Sequence, residues 1–84
     1  MENNWYVYIL RCRDGSLYTG ITTDVEKRFQ QHSAGKGAKY TRGRGPLELV
    51  YQNLCASHSD ALKQECHIKS LTKEQKLNLI EKKA

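Results

Sequence analysis

Trp5-Tyr6-Val7-Tyr8-Ile9-Leu10-Arg11-Cys12 and Ser16-Leu17-Tyr18-Thr19-Gly20-Ile21-Thr22, joined by Arg13-Asp14-Gly15, decide the fold. Both runs are rich in aromatic and β-branched residues, which favour strands. The Asp-Gly between them is a turn signal, so residues 5–22 read as a β-hairpin. Its register matters for the tyrosines. A two-residue turn at Asp14-Gly15 would set Arg11 opposite Tyr18 and send Tyr8 and Tyr18 to opposite faces. A three-residue loop, Arg13 to Gly15, sets Leu10 opposite Tyr18 and Tyr8 opposite Gly20, so that both phenols share a face. Such loops want a left-handed residue in third place, where this chain has Gly15. A glycine inside a strand, such as Gly20, marks a close approach of ligand or backbone.

Working outward, Thr23 and Glu26 have the spacing of a capping box, opening a helix that runs to about Ser33 and ends near Gly35. Residues 35–46 hold four of the six glycines and the only proline, and read as a loop. Leu47-Glu48-Leu49-Val50-Tyr51 reads as a third strand. Ser57 or Ser59 caps a second helix to about Lys69, and Thr72 with Gln75 opens a third to about Lys82. The expected order is β-β-α-β-α-α. This is an α+β class, with a small antiparallel three-stranded sheet flanked by helices.

Length and composition set the frame. At 84 residues the chain has room for one domain, residues 1–84. A chain of this size buries roughly 60–65% of its unfolded surface, so a deep cofactor pocket is not expected. No stretch approaches the ~20 apolar residues of a membrane span, and Met1-Glu2-Asn3-Asn4 has no signal-peptide pattern. The three cysteines, Cys12, Cys55 and Cys66, form no close pair. A disulfide framework is not expected, and a reducing cytoplasm fits. Cys55, His58, Cys66 and His67 match no usual zinc-ligand spacing. The net charge of +5 is concentrated in the first half: residues 1–46 carry eight basic and four acidic side chains. Lys36, Lys39, Arg42 and Arg44, with Tyr40 among them, suit a nucleic-acid strand through phosphate charge and base stacking. A solvated loop would have the same composition.

Three further positions carry chemistry. Arg28 and His32 are four apart and share a helix face, beside an apolar face of Val25 and Phe29. Arginine grips phosphate through paired hydrogen bonds, and histidine exchanges protons near neutral pH. On the second helix Ala61, Leu62, Cys66 and Ile68 are expected to face inward, and Glu65 falls within that stripe. A carboxylate there needs a cationic partner or a metal. One carboxylate is enough for Mg²⁺, which keeps several waters and takes substrate phosphate oxygens.

Tyr6-Val7-Tyr8, Tyr18-Thr19-Gly20 ten residues on, then Arg28, His32 and a lone Glu65 resemble the GIY-YIG nuclease superfamily, and within it the small stand-alone bacterial members. The likeness runs from about Trp5 to Lys76. It implies that Tyr8 lines an active site, that Tyr18 is the general base, that Arg28 stabilises phosphate and that His32 stands for the family's Tyr or His one turn later. It places the metal on Glu65, with Mg²⁺ as cofactor and Mn²⁺ as substitute. The implied function is metal-dependent endonuclease action on phosphodiester bonds, with DNA ahead of RNA as substrate. A free tyrosine titrates near pH 10, so Tyr18 as base needs Arg28 and the metal to lower that value, or His32 to relay the proton. His32 as direct base is the variant reading. The chain departs from the pattern at Tyr6, where glycine is usual, and at Ile21, where some members have lysine. Asn78 is the only nearby match for a further asparagine. The alternatives are a non-catalytic nucleic-acid-binding module on the same fold, and a structural interaction protein. A domain with so few contacts binds weakly alone, which leaves room for a protein partner.

Overall fold

The computed structural model describes residues 4–37 and 41–83. The elements run β1 (Trp5–Arg11), β2 (Leu17–Thr22), α1 (Val25–Ser33), β3 (Glu48–Cys55), α2 (His58–Ser70) and α3 (Lys73–Lys83). The sheet is antiparallel in the order β2-β1-β3. β1 is therefore central, and Val7, Tyr8, Ile9 and Leu10 are all buried because both faces of the strand are covered. On one face α1 packs Val25 and Phe29 against Tyr6, Tyr8, Tyr18 and Leu10. On the other, Ala61 and Ile68 of α2 and Ile80 of α3 pack on Val7, Ile9, Tyr51 and Cys55.

The hairpin adopts the three-residue loop, with Tyr8 opposite Gly20 and Leu10 opposite Tyr18. Gly15 takes φ +86° and donates its N–H to the Cys12 carbonyl at 2.9 Å. The Asp14 carboxylate closes the turn by accepting from the N–H and the hydroxyl of Ser16.

Several boundaries differ from the sequence reading. Asp24, not Thr23, caps α1: its carboxylate accepts from the Lys27 N–H at 3.1 Å. Pairing of β2 continues through Thr22, which leaves Asp24 as the extended residue before the helix, and Asp is as good a cap as Thr. Glu26 then lies in the first turn, where negative charge complements the helix dipole. β3 reaches Cys55 rather than Tyr51. The polar pair Gln52-Asn53 breaks the apolar run without breaking the backbone pairing to β1. A bulge at Val50, between Tyr51 opposite Ile9 and Leu49 opposite Leu10, shifts the alternation as well. On α2 only Ala61 and Ile68 of the expected stripe are buried; Leu62 is 44% exposed and Cys66 is exposed. The inward line runs through residues 61, 65 and 68, and Leu62 and Cys66 sit one residue off it. Ser57 caps α2, and Thr72 and Gln75 exchange both hydrogen bonds of the capping box ahead of α3.

Candidate active site

Tyr8 stands on the central strand, and Gly20 faces it across the ladder. A Cβ at Gly20 would lie 2.6 Å from the Tyr8 hydroxyl oxygen and 3.2 Å from the Tyr18 ring. Glycine is thus required for the phenols to lie over the backbone of β2. The ring centroids of Tyr8 and Tyr18 are 6.4 Å apart, and that of His32 is 6.0 Å from Tyr8 and 5.2 Å from Tyr18. Three aromatic side chains from β1, β2 and α1 therefore meet at one point.

His32 is 1% exposed, and both its ring nitrogens are engaged. Nε2 lies 2.9 Å from the Tyr8 hydroxyl, and Nδ1 lies 2.8 Å from Thr41 Oγ1. The chain turns back over this ring because α1 ends in a Schellman motif, with Gly35 (φ +79°) donating to His32 O and Lys36 to Gln31 O. Gly37 then lies against the imidazole, so close that a Cβ there would collide with His32 Nδ1. Burial, and then the positive charge of Arg28, push the His32 pKa down, so the ring is neutral at neutral pH. Burial pushes the Tyr8 phenol up to about 12, opposed by a hydrogen bond from Arg28 and reinforced by Tyr18. With Arg28 donating to the Tyr8 oxygen, the hydroxyl proton points to Nε2. This assigns the Nδ1–H tautomer, which donates to Thr41.

Arg28 is half-buried beside Tyr8 and is steadied by Gln31, whose side-chain oxygen accepts from Nη1 at 3.0 Å. Glu65 reaches the same neighbourhood from α2, where its negative charge acts on the Tyr8 phenol. Its side chain is 22% exposed, and a carboxylate oxygen lies 3.6 Å from the Lys69 ammonium. Of the basic loop, Lys36 and Arg42 are exposed. Arg44 is tied to the hairpin turn by a 2.7 Å ion pair with Asp14, and its carbonyl accepts from the Arg13 N–H. Lys39 and Tyr40 lie outside the described residues. Asn78 is exposed and lines a separate hollow with Leu71, Gln75, Leu79 and Lys82.

Residues 4–78 match the GIY-YIG catalytic domain. The chain belongs to the GIY-YIG nuclease superfamily. It is 56% identical to a UPF0213 protein of Oceanobacillus iheyensis over 81 residues, which cover 96% of this chain and 94% of the relative. The solution NMR structure of a UPF0213 protein from Bacillus halodurans superposes with a TM-score of 0.63 at 51% identity, covering 95% of this chain and 85% of that one. A solution NMR structure of a protein from E. faecalis gives a TM-score of 0.61 at 40% identity, covering 94% and 88%.

The GIY-YIG scaffold gives each candidate residue a separate support, because the tyrosines are on the sheet, Arg28 and His32 on α1 and Glu65 on α2. The donor set fits only a particular kind of metal. Among the described residues no group of three or more His, Cys, Asp and Glu could cage an ion. A single carboxylate suits a hard divalent cation that keeps its waters and takes substrate oxygens, as Mg²⁺ does. Among the described residues no helix is long and apolar enough to cross a membrane. Sequence reasoning missed Thr41 and Gly37. A threonine and a glycine in a glycine-rich loop give no local sign that they will meet a histidine on the preceding helix.

Proposed function

We propose that the chain hydrolyses phosphodiester bonds in nucleic acid, with DNA ahead of RNA, as a divalent-metal-dependent endonuclease. The observation that carries this is the convergence of Tyr8, Tyr18, His32 and Arg28, with the two phenols packed over the backbone of Gly20. Tyr18, the half-buried phenol of the pair, takes the proton of the attacking water. Arg28 neutralises the charge that grows on the phosphate oxygens as the new P–O bond forms and the old one breaks. Tyr8 and His32 act from below. Both are buried and bonded to one another, so they fix Arg28 and Tyr18 in place rather than touch the substrate. Glu65 would hold the cation after parting from Lys69, and the cation would polarise the phosphate and stabilise the leaving oxygen.

The test is cleavage of labelled DNA and RNA panels, covering single strands, duplexes, flaps and hairpins, with Mg²⁺ or Mn²⁺ against EDTA. Metal-dependent cuts are expected, falling about 10²–10⁴-fold in Tyr18→Phe and vanishing in a folded Glu65→Ala protein. A second reading, binding without catalysis, is favoured by the Glu65–Lys69 ion pair, which already satisfies the one carboxylate. Salt-sensitive binding in EDTA with no cuts on any substrate would select it.

A further inference from the structure

The edge of β2 carries a feature that the proposed chemistry at Tyr18 leaves unused. Thr19 is 3% exposed, and among the described residues its hydroxyl is the one buried side-chain polar atom without a hydrogen-bond partner. The motif that names the superfamily has isoleucine between its tyrosine and glycine. This chain buries a hydroxyl there and gives it nothing to bond. Leaving a buried polar group unpaired is destabilising, and such violations cluster at functional sites. Thr19 lines an open hollow of about 370 Å³ with Leu17, Tyr18, Lys69 and Lys76. Lys69 reaches it from the end of α2 and Lys76 from α3. Lys76 has no ion-pair partner among the described residues, and Lys69 shares its charge with Glu65 alone. Two ammonium groups around a small open hollow, with an unpaired hydroxyl buried just beneath its surface, are a complementary set for a phosphate group.

We infer that this hollow is a second phosphate site, which holds a backbone phosphate of the bound strand next to the one at Tyr18. The assignment rests on the nucleic-acid reading above and adds a second foothold for it. Rotation about its Cα–Cβ bond lets Thr19 donate its hydroxyl to a phosphate oxygen in the hollow, while Lys69 and Lys76 neutralise the charge. Occupation draws Lys69 toward the phosphate and so loosens its hold on Glu65. Thr19 and Lys76 make no contact with the reacting atoms, and their part is to bind the strand and set its register.

The test follows backbone amides by NMR while the full chain is titrated, in EDTA, with inorganic phosphate and separately with a single-stranded oligodeoxynucleotide. Both are expected to move residues 17–19, 69 and 76. Thr19→Val is expected to weaken oligonucleotide binding by about 2- to 10-fold, as for one lost hydrogen bond. Its melting temperature should rise, because the unpaired hydroxyl is gone. Thr19→Ser restores the binding. Lys76→Gln lowers the slope of log K against log salt by about 0.7. If the oligonucleotide moves residues 28 and 42 but not the hollow, the second site is overturned while the nucleic-acid reading stands. If phosphate fills the hollow and the oligonucleotide does not bind, the assignment to a strand is overturned together with that reading.

Discussion

His32 has the most constrained environment of the candidate residues, and its constraint comes from four directions. Tyr8 and Thr41 occupy its two nitrogens, Gly37 lies on its ring, and Arg28 adds a like charge. The folded pKa is held below the unfolded value near 6.5. The unfolded chain therefore binds more protons once pH falls through that value, and stability contributed by the neutral ring is present above about 6.5 and lost on acidification. His32→Asn should show a smaller loss of stability between pH 8 and pH 5 than the parent in parallel denaturant titrations. Equal losses would mean that the ring is not held neutral. At alkaline pH the sign reverses for Tyr8. Its folded pKa of about 12 lies above the ordinary 10, so its share of stability is present below pH 10 and lost as pH rises toward 12. The protein therefore keeps Tyr8 and His32 as an uncharged pair across the neutral range, which makes them a support for Arg28 and Tyr18.

At the scale of elements, α1 is the part on which the site depends most. It carries both Arg28 and His32 on nine residues, and a helix that short has little stability of its own. Its start is fixed by Asp24, so Asp24→Ala should destabilise the protein by about 1 kcal/mol, measured as a fall in the denaturation midpoint. Binding and cleavage should fall with it at temperatures where the parent is still fully folded. A variant that melts earlier but binds unchanged at low temperature would separate the cap from the site. The cap also shows what could be read beforehand. Strand and helix types and their order follow from period and turn chemistry, which are local, while Gly15 allows the observed hairpin register and the pairing of β1 with β2 selects it. The capping-box spacing points to Thr23 where the structure uses Asp24, because the exact end of β2 depends on pairing with β1, which no short window contains. Likewise Tyr8, Tyr18, Arg28 and His32 were legible from spacing, whereas Thr41 and Thr19 became visible only when loop and helices folded over the sheet. Glu65 is legible from its place on an apolar stripe, although Leu62 and Cys66 of that stripe face outward.

For the whole molecule, the deciding fact is that the site forms at one edge of the sheet, where the two packed faces meet. β2 is that edge, and its alternate side chains reach both layers: Tyr18 joins the α1 side and Thr19 the α2 and α3 side. Exposed Lys36 and Arg42 adjoin Gly37 and Thr41, which contact His32, while Lys69 and Lys76 line the hollow beside Tyr18. Arg11 and Arg44 are engaged with Glu48 and Asp14, so they contribute less. With Arg28 of the site, Lys36, Arg42, Lys69 and Lys76 make five cations on phosphates, which correspond to a slope of about −3.5 for log K against log salt on single-stranded DNA. Fluorescence anisotropy in EDTA between 50 and 300 mM salt measures it. Lys36→Gln and Arg42→Gln should each make the slope shallower by about 0.7, whereas Arg44→Gln should change it little and lower stability instead. A slope near zero would mean that the net charge of +5 is not used on phosphates, and the fold would then serve as an interaction scaffold.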